Sequence, residues 1–334
     1  MLLLGACTGE EPPAPPPATP VSPVEVIRAL PTPDDVESAV GKAVEERSLP
    51  DDLVPELARI AFDGVLSPPE QRCVRDYDVA KIPDGCVMGA PEAERSILLW
   101  GDARAAMWIP ALTRIAEQTG YRLVIGTQMQ CPPLLGLTPW LAPENRPYVE
   151  CATTNESMVS VIDVLEPEIV VLAGAVRNFA VARNGQPVAL GTGRADNTWE
   201  PDVEVGGIWE EGLDRTLAAI DDADVFVIGE APYLPEEPSV CLAAHVDSSD
   251  VCGVSTDVGV YDQHDERVRR TTEQNDATYV SPLPWLCADG ACPAVIDGYA
   301  AYRDTFHLNR QYVLHLSRAL GAALELDDWK DLAD

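Results

Sequence analysis

The sequence has few basic residues for its length. Lysine and arginine number 23 against 55 aspartates and glutamates, so the formal net charge is −32. A surface this acidic repels phosphate backbones and anionic lipid headgroups. This excludes nucleic acid as a partner, and it also excludes membrane binding through a basic patch. We interpret the acidic excess as a solvated surface rather than a ligand site.

Several cofactor and catalytic motifs are also missing. The chain has no Gly-x-Gly-x-x-Gly fingerprint, no phosphate-binding loop and no Gly-x-Ser-x-Gly elbow. Dinucleotide-binding, nucleotide-binding and α/β-hydrolase folds are therefore not indicated. No Cys-x-x-Cys pair occurs, the four histidines lack zinc-type spacing from the cysteines, and no EF-hand loop is present. We expect neither a cofactor nor a metal ion.

The first residues, MLLLGACTGEE, contain a Leu-Gly-Ala-Cys sequence. It is typical of a bacterial lipobox, in which Cys7 becomes lipidated, although a chance match is the alternative. Three leucines are too short for a complete signal, so residues 1–7 are interpreted as the remnant of a longer one. The proline-dense residues 8–33 are expected to form a disordered, extended tether. The prediction is an extracytoplasmic protein that is lipid-anchored to the cell membrane or secreted.

The other eight cysteines favour four disulfides, because an even number in a chain with an export signature is typical of oxidised proteins. Many pairings are possible by counting. Each pair of sequence neighbours brackets a loop-like segment, so we predict Cys73–Cys86, Cys131–Cys151, Cys241–Cys252 and Cys287–Cys292.

From residue 96 onward, apolar strands alternate with helical segments. Strands are predicted at 97–100, 121–125, 168–174, 224–229 and 277–280. Helices are predicted at 103–118, 153–167, 207–223 and 261–275, and 304–324 is a loop that enters a final helix. Two further helices, at 34–47 and 53–62, are expected to form a helical collar over residues 34–65. Continuous Val/Ile/Leu strands separated by helices predict an α/β domain, with a mostly parallel sheet covered on both faces, over residues 66–326. Residues 327–334 are an acidic tail.

Candidate site residues follow two of the predicted strands. Ligands bind beyond the carboxyl ends of the strands in open α/β sheets. Gly101-Asp102-Ala103 follows the first strand, and a second stretch begins at Gly174 after the third. Further along, Asp304 and His307 are one helical turn apart, so the carboxylate can orient one imidazole nitrogen while the other faces the site. The alternative is that His307 only caps the last helix.

The segment LLWGDARAAMWIPAL resembles the Gly-Asp-Ser-His-Ala-Ala block of SGNH hydrolases. The resemblance is closest to the extracytoplasmic SGNH domains that are fused to, or act with, membrane O-acyltransferases of the acyltransferase-3 type. It extends over residues 35–325 and includes RSLPDDLVPELARIAFD, CVRDYDVAKIPDGCVMG, QCPPLL, CLAAHVDSSDVCG and WLCADGACPAVIDGYAAYRDTFHLNRQYVLHLSRAL. It implies a flavodoxin-like three-layer α/β/α sandwich and a Ser–His–Asp site for esterase or O-acetyl transfer chemistry on cell-envelope glycans.

The resemblance also implies roles for individual residues. Asp304 and His307 match the orienting acid and the base of the family. Ala103 stands where the family has its nucleophilic serine, and Arg104 replaces the histidine that commonly follows it. The Ala103 backbone N–H is still an expected oxyanion donor, because that group does not depend on the side chain. Further oxyanion or binding candidates are Asp102, Gly126, Gly174 and Asn178, and for Asn178 a plain loop role is the alternative.

An alanine at position 103 cannot form an acyl-enzyme. The substitution is either natural or engineered to trap a substrate, and the absence of a visible tag favours a natural variant. Three hypotheses follow for the function. The chain is an impaired esterase or O-acyltransferase in which His307 activates water, or a pseudoenzyme that binds acylated glycan, or an accessory subunit that presents glycan to a separate membrane O-acyltransferase. The expected ligand is a cell-envelope glycan or an acylated glycolipid.

Overall fold

Six strands form the central sheet of the structure, a computed structural model that describes residues 27, 29–78, 85–176, 179–189, 191–193, 199–201 and 203–326. The strands are β1 (Val87–Gly89), β2 (Ser96–Gly101), β3 (Arg122–Thr127), β4 (Ile169–Ala173), β5 (Asp224–Ile228) and β6 (Thr278–Val280). Their order in the sheet is β1-β3-β2-β4-β5-β6. Strand β1 is antiparallel to β3, and the other neighbours pair in parallel.

Side chains of the strands alternate between two apolar cores. In β2, Ile97 and Leu99 belong to one core, whereas Leu98 and Trp100 belong to the other. This follows from the two-residue period of a strand. Because each face is covered, successive residues are all buried and the strand reads as an unbroken apolar run. The predicted three-layer α/β fold is confirmed.

The helices cover the two faces of the sheet. In chain order they are α1 (Pro33–Ala43), α2 (Ile60–Asp63), α3 (Pro68–Gln71), α4 (Ala103–Ala106), α5 (Ile109–Thr119), α6 (Val149–Leu165), α7 (Val203–Leu217), α8 (Pro238–Ala244), α9 (Thr256–Gly259), α10 (Asp262–Gln274), α11 (Arg310–His315) and α12 (Ser317–Ala323). Residues of α1, α4, α5, α11 and α12 pack in the first core, and residues of α6 and α7 pack in the second. Short strand pairs lie in the connections between them.

Proline changes the predicted boundaries of two helices. The helix predicted at 103–118 is two helices, α4 and α5, separated at Met107 and Trp108. Pro110 has no N–H to donate to the carbonyl of Ala106, and its ring clashes with that carbonyl, so one continuous helix is disfavoured. The helix predicted at 53–62 is a 3-10 turn (Leu57–Arg59) followed by α2, because Pro55 disfavours helical backbone at the residue before it.

The segment expected to form a helical collar contributes to the main core. Val36 and Val40, one turn apart on α1, are buried in the same apolar cluster as Ile97 and Leu99 of the sheet. Thr32 begins the helix with a capping box: its hydroxyl accepts from the Asp35 N–H at 3.2 Å, and the Asp35 carboxylate accepts from the Thr32 N–H at 3.0 Å. This helix therefore packs directly on the α/β core.

The structure contains the four disulfides predicted from neighbouring cysteines. Cys131 and Cys151 form a small buried cluster with Leu141 and Tyr148, apart from the two main cores. None of the helices among the described residues is long and apolar enough to cross a membrane. The lipobox with Cys7, residues 8–26 of the tether and the tail at 327–334 lie outside the described residues.

We expect loss of the Cys131–Cys151 disulfide to destabilise the fold more than loss of Cys287–Cys292. The bridged residues are 20 apart in the first pair and five apart in the second. A cross-link that closes a longer loop removes more entropy from the unfolded chain, which gives about 3 kcal/mol for the first and about 2 kcal/mol for the second. Urea unfolding of the two double-alanine variants measures this difference. An equal or larger loss for the short loop would contradict it.

Candidate functional site

The candidate site is built on the turn at the carboxyl end of β2. A Cβ atom on Gly101 would lie 1.9 Å from the carbonyl oxygen of Ala173 on the neighbouring strand, so a side chain does not fit there. Asp102 is 2% exposed. Its carboxylate accepts from the backbone N–H of Arg104 and from the N–H of Ala175, each at 2.8 Å. Asp102 thereby caps α4 and joins the turn to the segment that follows β4, which places Ala103 at the start of the helix.

Asp304 and His307 are in contact through their side chains. The Nδ1 atom of His307 is 2.8 Å from Oδ2 of Asp304, whose Oδ1 accepts from the backbone N–H groups of Phe306 at 3.0 Å and His307 at 2.7 Å. We assign the proton to Nδ1 from this contact, which leaves Nε2 unprotonated. The final helices begin instead at Asn309, whose side chain accepts from the N–H of Gln311. The cap of α11, the helix that follows this loop, is therefore Asn309 rather than His307.

The two members of this pair have pKa values shifted in the direction that acid–base chemistry requires. Burial lowers the pKa of His307 below its ordinary value, although the hydrogen bond and charge of Asp304 oppose this. Burial also raises the pKa of Asp304, but the hydrogen bond and charge of His307 outweigh it, so that the net pKa lies well below the usual range. At neutral pH the imidazole is neutral and the carboxylate is charged.

Ala103 and His307 line the same cleft. The residues that line it are Gly64, Leu66, Gln71, Val74, Ala103, Ala106, Met107, Met129, Arg303, His307, Leu308 and Arg310. The cleft thus brings together the turn after β2 and the loop before α11, as the sequence predicts. Arg303, Arg310 and Gln71 were not predicted as site residues.

Arg104 connects the two segments from within the protein. Its side chain is 2% exposed. One of its Nη1 protons is donated to the backbone carbonyl of Phe306, the residue before His307. Its guanidinium carbon lies 4.4 Å from the centre of the Tyr233 ring, within the range of a cation–π contact. The guanidinium therefore binds other parts of the protein, and Arg104 is not one of the residues that line the cleft.

Glu230 is a half-buried acid whose charge interacts with that of Arg104, and it was not predicted as a site residue. Its Oε1 atom accepts from the N–H of Val176 at 2.7 Å and from the hydroxyl of Tyr233 at 3.0 Å. Burial raises the pKa of Glu230 to about 7 and that of Asp102 to about 6, and the charge of Arg104 opposes both shifts. Glu230 comes two residues after β5 ends, so the strand-end signal that selected Asp102 also points to it.

The remaining candidates lie elsewhere or outside the described residues. Gly126 lies within β3, opposite Trp100, where a Cβ atom would be 2.6 Å from the methyl group of Met158. Gly174 contacts Pro132 and lines a separate interior cavity. Asn178 is outside the described residues. Among the described residues, no group of three or more His, Cys, Asp or Glu side chains is arranged to hold a metal ion.

Comparison with known proteins gives the family. A sequence model described as "SGNH domain (fused to AT3 domains)" matches residues 72–322. The chain belongs to this SGNH family. A search of curated proteins finds no significant match.

A solved structure with a TM-score above 0.5 shares the fold of this SGNH chain. The periplasmic domain of a lipopolysaccharide acetyltransferase from Salmonella ser. Paratyphi A is 16% identical, with a TM-score of 0.56 over 80% of this chain and 97% of that one. Est24, a carbohydrate acetylesterase from Sinorhizobium meliloti, is 12% identical, with a TM-score of 0.39 over 71% of this chain and 99% of the other.

We expect Arg104→Met to lower the free energy of unfolding by about 3 kcal/mol at pH 8, because it leaves buried carboxylates without their cation. The folded pKa values of Asp102 and Glu230, about 6 and about 7, lie above those of exposed acids. At pH 5 these groups are therefore mostly protonated in the folded protein. Neutral carboxyl groups are stabilised less by the positive charge of Arg104. The loss should be smaller at pH 5 than at pH 8, as measured by urea unfolding.

Arg215→Met is the matched control, since Arg215 pairs with Glu211 on the exposed surface of α7 and its side chain is 45% exposed. Its effect should stay within about 0.5 kcal/mol at both pH values. An Arg104→Met loss that is the same at pH 5 and pH 8 would show that the buried acids do not depend on the guanidinium.

Proposed function

We propose that this SGNH domain carries an acyl site for ester hydrolysis or transfer on cell-envelope glycans, in which Ala103 in place of the nucleophile leaves turnover absent or severely impaired. The observation that carries the proposal is the cleft shared by Ala103 and His307, with His307 held by Asp304 at 2.8 Å. The family match and the fold shared with the periplasmic domain of a lipopolysaccharide acetyltransferase support the choice of acyl chemistry on a glycan.

The chemistry available to the wild-type chain differs from that of a serine enzyme. A serine hydroxyl at position 103 would give its proton to His307 and attack an ester carbonyl. The methyl group of Ala103 has no oxygen, so no acyl-enzyme forms. The base that remains is His307, which takes a proton from water as the water oxygen attacks the carbonyl. As the ester C–O bond breaks, His307 gives this proton to the leaving sugar oxygen, so the products are the carboxylic acid and the sugar hydroxyl. In a serine hydrolase, loss of the nucleophile costs about 10⁶ in turnover.

A binding role is the second candidate, and Ala103 itself favours it. The cleft, the oriented imidazole and the capped turn remain in the fold although the nucleophile does not. A pseudoenzyme that binds acylated glycan, or an accessory subunit that presents glycan to a membrane O-acyltransferase, needs the cleft without the serine. Saturable binding of an acetylated oligosaccharide without turnover would favour this role.

The proposed location is outside the cytoplasm. Four disulfides are typical of oxidising compartments, and the matching family is described as fused to acyltransferase-3 domains. We propose lipid attachment at Cys7 as the link to the membrane, with a membrane O-acyltransferase as a partner. Labelling of cells with a fatty-acid analogue, with Cys7→Ala as the control, tests the anchor.

The decisive test of the acyl site is Ala103→Ser. We expect the esterase rate on p-nitrophenyl acetate to rise by at least about 10³-fold, because the base and its orienting carboxylate are already in place. The double variant Ala103→Ser/His307→Ala is the matched control and should return to the wild-type rate. If Ala103→Ser is no faster than the wild-type protein, the proposal that the acyl site lacks only its nucleophile is wrong.

The pH dependence of the Ala103→Ser variant tests the role of Asp304. General-base catalysis needs neutral His307, whose pKa lies below its ordinary value of 6.5. The rate should therefore rise with pH and level off by about pH 7. In Ala103→Ser/Asp304→Asn the charge that raises the pKa of His307 is gone, so the midpoint should move to lower pH while the plateau rate falls. A midpoint that moves upward would contradict the assigned contact.

A further inference from the structure

The cleft differs in charge from the rest of the molecule. Arg303 and Arg310 line it together with His307, and among the described residues that line it there is no acid. The chain as a whole has 55 acids and 23 bases. The charged side chains that line the cleft are thus all basic, whereas acids outnumber bases in the chain as a whole.

Each arginine is oriented by an acid outside the cleft lining. The Nε and Nη2 atoms of Arg310 each donate to the carboxylate of Glu70 at 2.9 Å, and the Glu70 side chain is 7% exposed. The Nε atom of Arg303 donates to Asp304 at 3.0 Å. The two hydrogen bonds to Glu70 fix the guanidinium plane of Arg310, and the bond to Asp304 anchors the Nε atom of Arg303. Both side chains therefore lose less entropy when a ligand binds.

At least one donor group of each arginine remains for a ligand. Among the described residues, the Nη1 groups of Arg303 and Arg310 have no hydrogen-bond partner. Their side chains are 25% and 24% exposed, so these groups are partly open to solvent at the cleft. Because Asp304 and Glu70 balance the charges of the two arginines, the local net charge is near zero. A bound anion is therefore stabilised mainly by directional, charge-assisted hydrogen bonds rather than by long-range attraction.

We propose that the glycan bound in this cleft carries a carboxylate, as a uronic acid does, which accepts hydrogen bonds from the free Nη1 groups of Arg303 and Arg310. The inference rests on the proposed function, since it names the class of sugar that the acyl site takes. The carboxylate and the acylated hydroxyl then lie on one short stretch of glycan, with the hydroxyl near Ala103 and His307.

Calorimetric titration at 0.15 M salt compares two ligands with the same backbone. They are β-1,4-linked tetraglucuronate and cellotetraose, which differ only in the carboxylate at each C6. At this ionic strength the Debye length is about 8 Å, so exposed acids farther than this from the cleft repel the acidic ligand little, although the net charge is −32. We expect tetraglucuronate to bind the wild-type protein at least about tenfold more tightly than cellotetraose.

Two variants and one control locate the binding. The first variant is Arg303→Gln. The second is the double variant Glu70→Gln/Arg310→Gln, which removes the buried acid together with its partner. Each should weaken tetraglucuronate binding by about tenfold and leave the affinity for cellotetraose unchanged. Arg269→Gln removes an arginine on α10, where it pairs with Glu266 and Glu273, and should change neither titration. Thermal unfolding of each variant verifies that it is folded, and Arg303→Gln leaves the buried Glu70–Arg310 pair intact.

The outcomes separate the inference from the proposed function. Equal binding of the two ligands would overturn the carboxylate requirement and keep a glycan site. Binding of neither would overturn the inference and count against a glycan site of any kind. Tighter binding of tetraglucuronate that only Arg269→Gln weakens would place the anion outside the cleft and overturn the inference as well.

Discussion

The buried carboxylate of Asp102 joins the parts of the molecule that make the site. One oxygen binds the turn into α4 and the other binds the N–H of Ala175, so the ends of two adjacent parallel strands cannot move independently. A buried carboxylate is costly without partners, and these amides satisfy it. Arg104 extends the link from this turn to Phe306, and through that loop to the imidazole of His307. Arg104 and Phe306 are 202 residues apart in the chain, and a single side-chain hydrogen bond joins them in space.

Three buried or half-buried acids have pKa values that their surroundings shift in opposite directions. Asp102 and Glu230 lie in the interior with backbone amides as partners, and burial raises the pKa of each. Asp304 is near the surface of the cleft, where His307 and Arg303 lower its pKa. Asp304, the acid that we propose to orient His307, is therefore charged over the whole neutral range. The charge of Arg104 lowers the pKa of each of the other two.

Much of the fold was predictable because its strands are buried on both faces. Residues 169–173 and 225–228 are short apolar runs with no alternation, and they form or lie within the observed strands Ile169–Ala173 and Asp224–Ile228. Strand β1 was missed because three residues ending in a glycine carry too little pattern. The break between α4 and α5 comes from Pro110, which has no backbone N–H. The helix prediction considered only the spacing of apolar residues and so did not include this effect.

The site was predictable where the signal is local and unpredictable where it is long-range. The Asp304–His307 contact lies within three residues, and Ala103 follows directly from a strand end. Arg310 reaches Glu70 across 240 residues, and Arg104 reaches Phe306 across 202. No spacing in the chain predicts such pairs, because they depend on how α3, α4 and the loop before α11 meet in space.

The fit around Gly101 has a consequence for the history of this chain. The turn keeps its shape because of the glycine and the carboxylate next to it, and neither depends on what residue 103 carries. Alanine and serine codons can differ by a single base. If position 103 is the nucleophile site that we propose, a single base change there would supply a reactive hydroxyl without rebuilding the architecture around it.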